Sequence, residues 1–193
     1  VIEFGKDKHL VTVEIENVNI EALETLEEKG VKIFPQPRVL RTIKDKGIQK
    51  QFYTDFGIPT APFKLYENAN DIKDADINYP VIQKMRTGGY DGKGVQLLKQ
   101  PEDSFDAPNL CESLIDFDKE LSIIVARNEN GDVQCFPSVE CEFNPEANLV
   151  EYLFSPANIS QEITSKANSI AKDLIQKLDM IGLLAVEFFL CKN

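Results

Sequence analysis

Histidine is nearly missing from the chain: His9 is the only one in 193 residues, and it sits in the charged stretch Lys6-Asp7-Lys8-His9. A Ser-His-Asp triad or a multi-histidine metal centre would have to pass through it, so both drop out of consideration. Cysteine is scarce as well. Cys111, Cys135, Cys141 and Cys191 form no C-x-x-C pair, which leaves a zinc ribbon without support and fits a reduced, cytosolic compartment. No run of about 18 apolar residues is present, as a membrane-crossing helix requires. Positive charge is in deficit, with 21 Lys and Arg against 32 Asp and Glu and a net charge of −11. Such a chain has no long-range attraction for nucleic acid or anionic membrane, so neither is an expected partner. The acidity itself suits solubility. The start, Val1-Ile2-Glu3-Phe4, carries no signal-peptide pattern and no initiator methionine, and the expectation is a central piece of a longer chain.

What the chain does have is a 42% apolar content, enough for a core, and a concentrated glycine stretch. Four glycines fall within Gly88-Gly89-Tyr90-Asp91-Gly92-Lys93-Gly94, between the apolar runs Val81-Ile82 and Val95-Gln96-Leu97-Leu98. Strand, glycine-rich turn, strand is the natural reading. Glycine lets backbone N–H groups approach an anion closely, and Lys84, Arg86 and Lys93 add local positive charge, a combination suited to polyphosphate. A P-loop needs Ser or Thr after Gly-Lys, where Gly94 stands, and a dinucleotide fold needs G-x-G-x-x-G opening a helix. Neither fits, and a plain flexible hairpin stays open.

The other elements follow from periodicity. Residues 10–18 alternate as a strand, Asn19 caps a helix carrying Ile20, Leu23 and Leu26 up to Gly30, and Val31-Lys32-Ile33-Phe34 is a second strand, giving a parallel β-α-β unit. Residues 38–56 predict one helix with Val39, Ile43, Ile48, Phe52 and Phe56 as its stripe, ended by Gly57 and an extended linker over 58–62. Residues 63–66 and 110–115 predict strands, with a short helix over 68–75 and a polar, turn-rich stretch over 101–108. Residues 117–127 alternate, with Leu121, Ile123 and Val125 on one face. Asn130-Gly131 predicts a type I′ turn into a returning strand over 133–143. After a strand over 149–154, Ser160 caps the cleanest amphipathic helix, with Ile163, Ala167, Ile170, Ala171, Leu174, Ile175 and Leu178 as its core stripe. Residues 181–191 form an apolar strand broken by Glu187, a carboxylate that is costly in such a run unless paired with a base such as Lys84 or bound to metal.

Lys84 together with the string Gly88 through Gly94 resembles the phosphate-covering loop of the N5-carboxyaminoimidazole ribonucleotide synthetases, ATP-grasp ligases of purine biosynthesis. The resemblance runs from Leu10 to Cys191. It implies an α+β ATP-grasp fold, an antiparallel sheet with a small lid subdomain, preceded by the last β-α-β of an α/β pre-ATP-grasp domain. The implied domains are 1–37, a linking helix and linker over 38–60, and an ATP-grasp domain over 61–193 with the lid near 61–115 and its C-terminal end missing. ATP and Mg2+ are the implied cofactors. The implied reaction is carboxylation of 5-aminoimidazole ribonucleotide with bicarbonate through carboxyphosphate. A homodimer is open for the full-length form.

On the same footing, Lys46, Lys84, Gly89, Tyr90, Asp91, Gly92, Lys93, Gly94 and Val95 would surround the nucleotide's phosphates. Glu112, Ser113, Leu114 and Ile115 would lie along the adenine, with a plain edge strand as the alternative. Glu120 would take the ribose hydroxyls or else pair with a lysine across the sheet, and Arg127 would reach the phosphates. Glu16, Tyr90, Asp91 and Lys93 would meet the ribonucleotide, Lys93 and Asp91 as catalytic candidates, while Glu16 could instead be an exposed strand carboxylate. Glu187 would hold Mg2+, with a second acid expected beyond Asn193. Lys46 stands where the family usually has arginine, which loses the bidentate fork. Phe143 stands where the family often has histidine, and Lys93 where it often has arginine. The piece itself is expected to be inactive. Two other readings are a nucleotide-binding module without turnover and a related ligase acting on another purine intermediate.

Overall fold

The computed structural model describes residues 1–15, 17–89, 94–144 and 149–192. In chain order its elements are α1 (Ile2–Gly5), β1 (Leu10–Thr12), α2 (Ile20–Glu28), β2 (Lys32–Phe34), α3 (Pro37–Lys44), α4 (Lys46–Asp55), β3 (Phe63–Tyr66), α5 (Ala69–Lys73), β4 (Val81–Met85), β5 (Val95–Leu98), β6 (Asn109–Ser113), β7 (Phe117–Arg127), β8 (Val133–Cys135), β9 (Val139–Asn144), β10 (Leu149–Phe154), α6 (Gln161–Lys177) and β11 (Gly182–Cys191). The chain divides into two compact units. The first holds Val1–Arg41, Lys119–Glu142 and Tyr152–Phe188, the second Thr42–Asp118, Phe143–Glu151 and Phe189–Asn193. Among the described residues no helix is long and apolar enough to cross a membrane.

In the first unit β1 and β2 pair in parallel, Val11 opposite Ile33, as the β-α-β pattern predicts. The Asn19 Oδ1 accepts from the Ala22 N–H at 2.7 Å and starts α2. Val11, Leu23, Leu26, Val31 and Ile33 close a small core. The strand predicted over 10–18 stops at Thr12. Its partner β2 is only three residues long and is followed by Pro35, which has no N–H to continue a ladder. The larger sheet runs β10-β9-β7-β11, with β8 paired to β7. Leu121, Ile123 and Val125 are buried as the alternation predicts, and in the stripe of α6 Ala167, Ala171, Leu174, Ile175 and Leu178 are buried while Ile163 and Ile170 are half-buried. The Ser160 Oγ accepts from the Ile163 N–H and caps that helix.

The return from β7 differs from its prediction in two ways. Asn130 keeps a negative φ, so Asn130-Gly131 is not a type I′ turn. The loop is longer, and the Asn128 side chain organises it by accepting from the N–H groups of Asn130 and Asp132. The returning strand is split into β8 and β9. Residues 135 to 139 oppose 125 to 122 of β7, one residue more on the returning side, which is a bulge placed at Pro137.

The second unit is built on an antiparallel sheet in the order β3-β6-β4-β5. Tyr66, Ile72, Val81, Leu98 and Cys111 form its core. β6 is internal, between β3 and β4, so it is not an edge strand. The single helix predicted over 38–56 is two. Asp45 interrupts it and caps α4, accepting from the Gly47 N–H at 2.8 Å and the Ile48 N–H at 3.1 Å. Consequently the predicted stripe does not hold: Val39 is buried, whereas Ile48 and Phe56 are exposed.

Candidate functional site

Residues opposite one another across an antiparallel sheet share a face. The registers Phe63↔Glu112↔Ile82↔Leu97 and Leu65↔Leu110↔Lys84↔Val95 therefore define one face of the second unit's sheet. Leu65, Val95 and Leu97 on it are exposed. Set among these aliphatic groups is a charged pair, Lys84 Nζ to Glu112 Oε1 at 2.6 Å. An exposed apolar wall beside a lysine can take a flat base and an anion together.

Glu112 is shared. The Lys50 Nζ lies 2.6 Å from its Oε2 and donates to the Thr60 Oγ1 at 2.5 Å. The Lys50–Oε2 contact is a close ion pair. Burial alone would raise the Glu112 carboxyl; Lys84 and Lys50 overcome it and hold it below the usual range. Lys46, at the start of α4, is half-buried, and its N–H donates to the Arg86 carbonyl at 2.9 Å. Arg86 itself is held by Asp45, Nε to Oδ1 at 3.0 Å and Nη2 to Oδ2 at 2.8 Å, the fork geometry that suits a carboxylate. A Cβ at Gly47 would lie 2.7 Å from the Arg86 Nε and 3.1 Å from Asp45 Oδ1, so this clamp requires glycine there.

The glycine turn leaves β4 and enters β5 at a pinched base. The Met85 N–H donates to the Gly94 carbonyl at 2.8 Å. Gly94 has φ +76°, and a Cβ on it would meet the Gly89 Cα at 3.2 Å, so a side chain there would be strained in the backbone and tightly placed. Tyr90, Asp91, Gly92 and Lys93, like Glu16, lie outside the described residues. Behind the turn, on the opposite sheet face, buried Gln83 donates to the Asn109 Oδ1 and accepts from Gln96 and the Phe105 N–H. This network ties the hairpin to the segment before β6.

Ser113 ends β6, and Leu114 and Ile115 lie beyond it, Leu114 exposed. In the first unit Glu120 stands opposite Cys141 across β7 and β9. Burial raises the Cys141 thiol, and the charges of Glu187 and Glu120 raise it further, which places both acids in one neighbourhood. Glu187 is exposed, on the same face of β11 as exposed Leu183 and Ala185. The argument that an apolar run buries this carboxylate is therefore corrected: the strand's alternation turns it outward, and Lys84 pairs with Glu112 instead. Arg127 is engaged by Asp179, Nη2 to Oδ1 at 2.9 Å, and by the Met180 carbonyl. Phe143 is half-buried. Among the described residues no three His, Cys, Asp or Glu side chains gather as a ready metal site.

The pairing of Lys50 with Glu112 and the Asp45–Arg86 clamp escaped the reading of the sequence. Their signals were local: Lys46 and Lys50 are spaced i, i+4 and share a helix face, and an Asp directly before a helix is a capping position.

The ATP-grasp domain family matches residues 51–193, and the ribonucleotide synthetase preATP-grasp domain matches residues 1–44. The chain belongs to the ATP-grasp family. Within it, the chain is similar to an N5-carboxyaminoimidazole ribonucleotide synthase of Synechococcus elongatus, 33% identical over 93% of this chain and 47% of that protein. Carboxyaminoimidazole ribonucleotide synthase of Aspergillus clavatus complexed with ATP superposes with a TM-score of 0.88 at 29% identity, covering 98% of this chain and 52% of the other. An Aspergillus clavatus structure in complex with ADP and 5-aminoimidazole ribonucleotide gives 0.85 at 27% identity, covering 98% and 51%. The resemblance read from Lys84 and its glycine string is borne out, as is the ATP-grasp fold with its preceding domain. The chain spans about half the length of these relatives.

Proposed function

We propose that the full-length protein carries out the ATP-dependent carboxylation of 5-aminoimidazole ribonucleotide with bicarbonate, giving N5-carboxyaminoimidazole ribonucleotide, ADP and phosphate. The observation that carries this reading is the Lys84–Glu112 pair in an open apolar sheet face, on the strand that enters the glycine turn. It is supported by similarity along nearly the whole chain to a protein solved with ADP and 5-aminoimidazole ribonucleotide.

Phosphoryl transfer asks mainly for positioning and charge neutralisation. Lys84 and Lys46 supply cations to the phosphates, Gly89, Gly92, Gly94 and Val95 their backbone, with Arg127 within the same role. The exposed aliphatic face takes the adenine beside Glu112, Ser113, Leu114 and Ile115. Glu120 accepts from the ribose hydroxyls, as an ionised carboxylate can from two donors at once. Glu16, Tyr90, Asp91 and Lys93 hold the ribonucleotide, with Asp91 and Lys93 beside the reacting groups. Bicarbonate takes the terminal phosphoryl group to give carboxyphosphate, which releases carbon dioxide next to the attacking exocyclic amine.

Glu187 suits Mg2+: it is a hard oxygen donor on an open face, and Mg2+ commonly takes one or two carboxylates with phosphates and water completing the shell. Bound there, the ion would supply charge neutralisation to the phosphates. We place domain limits at 1–37, 38–60 and 61–193 with the lid near 61–115, the reaction in the cytoplasm, in keeping with four free cysteines, and leave a homodimer to the full-length form.

Phosphate release from ATP is the test. It should require bicarbonate, rise with aminoimidazole ribonucleotide, and vanish in Glu187→Gln. Release indifferent to the ribonucleotide would overturn the substrate assignment. Nucleotide binding with no release in the full-length protein would favour a binding module.

A further inference from the structure

Glu112 is the one acidic residue among the described residues that is buried, and it has two cations where one would balance it. The two are not equivalent. Lys50 is 12% exposed and anchored by the Thr60 hydroxyl and by the Phe63 ring, 5.9 Å from its ammonium. Lys84 is 26% exposed and stands on the open sheet face. A buried carboxylate left without a counter-ion is a costly state. If Lys84 were the sole partner, drawing its ammonium toward a phosphate would strand Glu112. With Lys50 in place, Oε2 stays compensated by charge, and the pair of lysines keeps one unit of positive charge in surplus.

We propose that Lys50 is the resident counter-ion of Glu112 and thereby frees Lys84 to carry its charge to the phosphates of the nucleotide. Lys50 is a positioning residue: it acts through Glu112 and touches no ligand. The inference rests on the reading that the phosphates of ATP lie at Lys84.

The test is calorimetric ATP titration of the full-length protein and four variants. Lys84→Met should weaken binding at least about tenfold, the scale of a hydrogen bond to a charged group. Lys50→Met should weaken it by a similar factor, because Lys84 is then locked onto Glu112. Glu112→Gln is the reference for the fourth variant, because Glu112 also lies beside the proposed adenine site. Adding Lys50→Met to Glu112→Gln should change affinity by less than about threefold relative to Glu112→Gln alone, since no buried carboxylate then competes for Lys84. A merely structural Lys50 would cost the same in both backgrounds, so a loss of about tenfold on adding Lys50→Met to Glu112→Gln overturns the inference, as does a Lys50→Met protein with unchanged affinity while Lys84→Met is impaired. Should Lys50→Met not fold, the comparison of the double variant with Glu112→Gln decides alone, equal affinity supporting the inference and a loss of about tenfold overturning it. Unchanged affinity in Lys84→Met is a different failure, because it removes the phosphates from Lys84 and with them the reading on which the inference stands.

Discussion

The second unit's lysines and the first unit's acids meet solvent in opposite ways. Lys50 and Lys84 share a buried Glu112, and Arg86 is clamped by Asp45. Glu187, by contrast, points outward from β11, and Glu120 is half-buried on β7. A chain with 32 acids and 21 Lys and Arg can give each partly buried cation an internal carboxylate, and acids remain in surplus. Desolvation makes pairing compulsory for the first group and optional for the second. The difference separates a basic cluster, whose geometry is set by folding and internal pairing, from acids that solvent can satisfy.

The sharpest way to break that contrast is to remove the shared carboxylate. Glu112→Ala leaves two ammoniums facing each other in a buried place and should cost about 3–5 kcal/mol of stability. Glu187→Gln should stay within about 0.5 kcal/mol of the parent, as an exposed substitution does. Urea unfolding of both variants measures the gap, and equal losses would erase the distinction between the two regions.

Next in size is ligand binding. Lys84→Ala should lower ATP affinity by about 1.5–3 kcal/mol, while Lys99→Ala, an exposed lysine past the end of β5, should cost below about 1. Calorimetric titration separates them, and matched losses would take Lys84 out of the site. Gly47→Ala should follow at about 1–3 kcal/mol of stability, because its Cβ meets the Arg86 Nε and Asp45 Oδ1. Retention of the parental melting temperature would show that the clamp yields.

The smallest effect is a pH trend. Folding holds Glu112 below the usual carboxylate range through Lys84 and Lys50 against burial, and Asp45 below it, again against burial, through Arg86 and the N–H groups of Ile48 and Gly47. A lowered folded value contributes stability that is present above the ordinary carboxylate range and is lost as pH falls through the folded value. Thermal melts between neutral and acidic pH should therefore show a loss that the Asp45→Asn variant shows less of. An identical slope in that variant would remove Asp45 from the acid sensitivity.

Local patterns were legible wherever a few neighbours decide the outcome. The alternation of Leu121, Ile123 and Val125, the Asn19 and Ser160 caps and the β4–β5 hairpin each depend on residues close in sequence, and each stands in the structure as predicted. Where two signals competed locally, the longer-range one won. The apolar stripe over 38–56 suggested one helix, but Asp45 answers to Arg86 as well as to its own helix end.

The sequence by itself determined the periods, the caps and the glycine string, and with them the family, because backbone geometry and short-range sterics act within a turn or a strand. Only the tertiary structure decided that β6 is internal, that Glu187 faces outward while Glu112 is buried, and that Lys50 and Lys84 converge on one carboxylate. The physical reason is that periodicity says which residues share a face but not what that face meets. Burial, and therefore which charges must find partners, is set by strand order and packing between segments far apart in the chain.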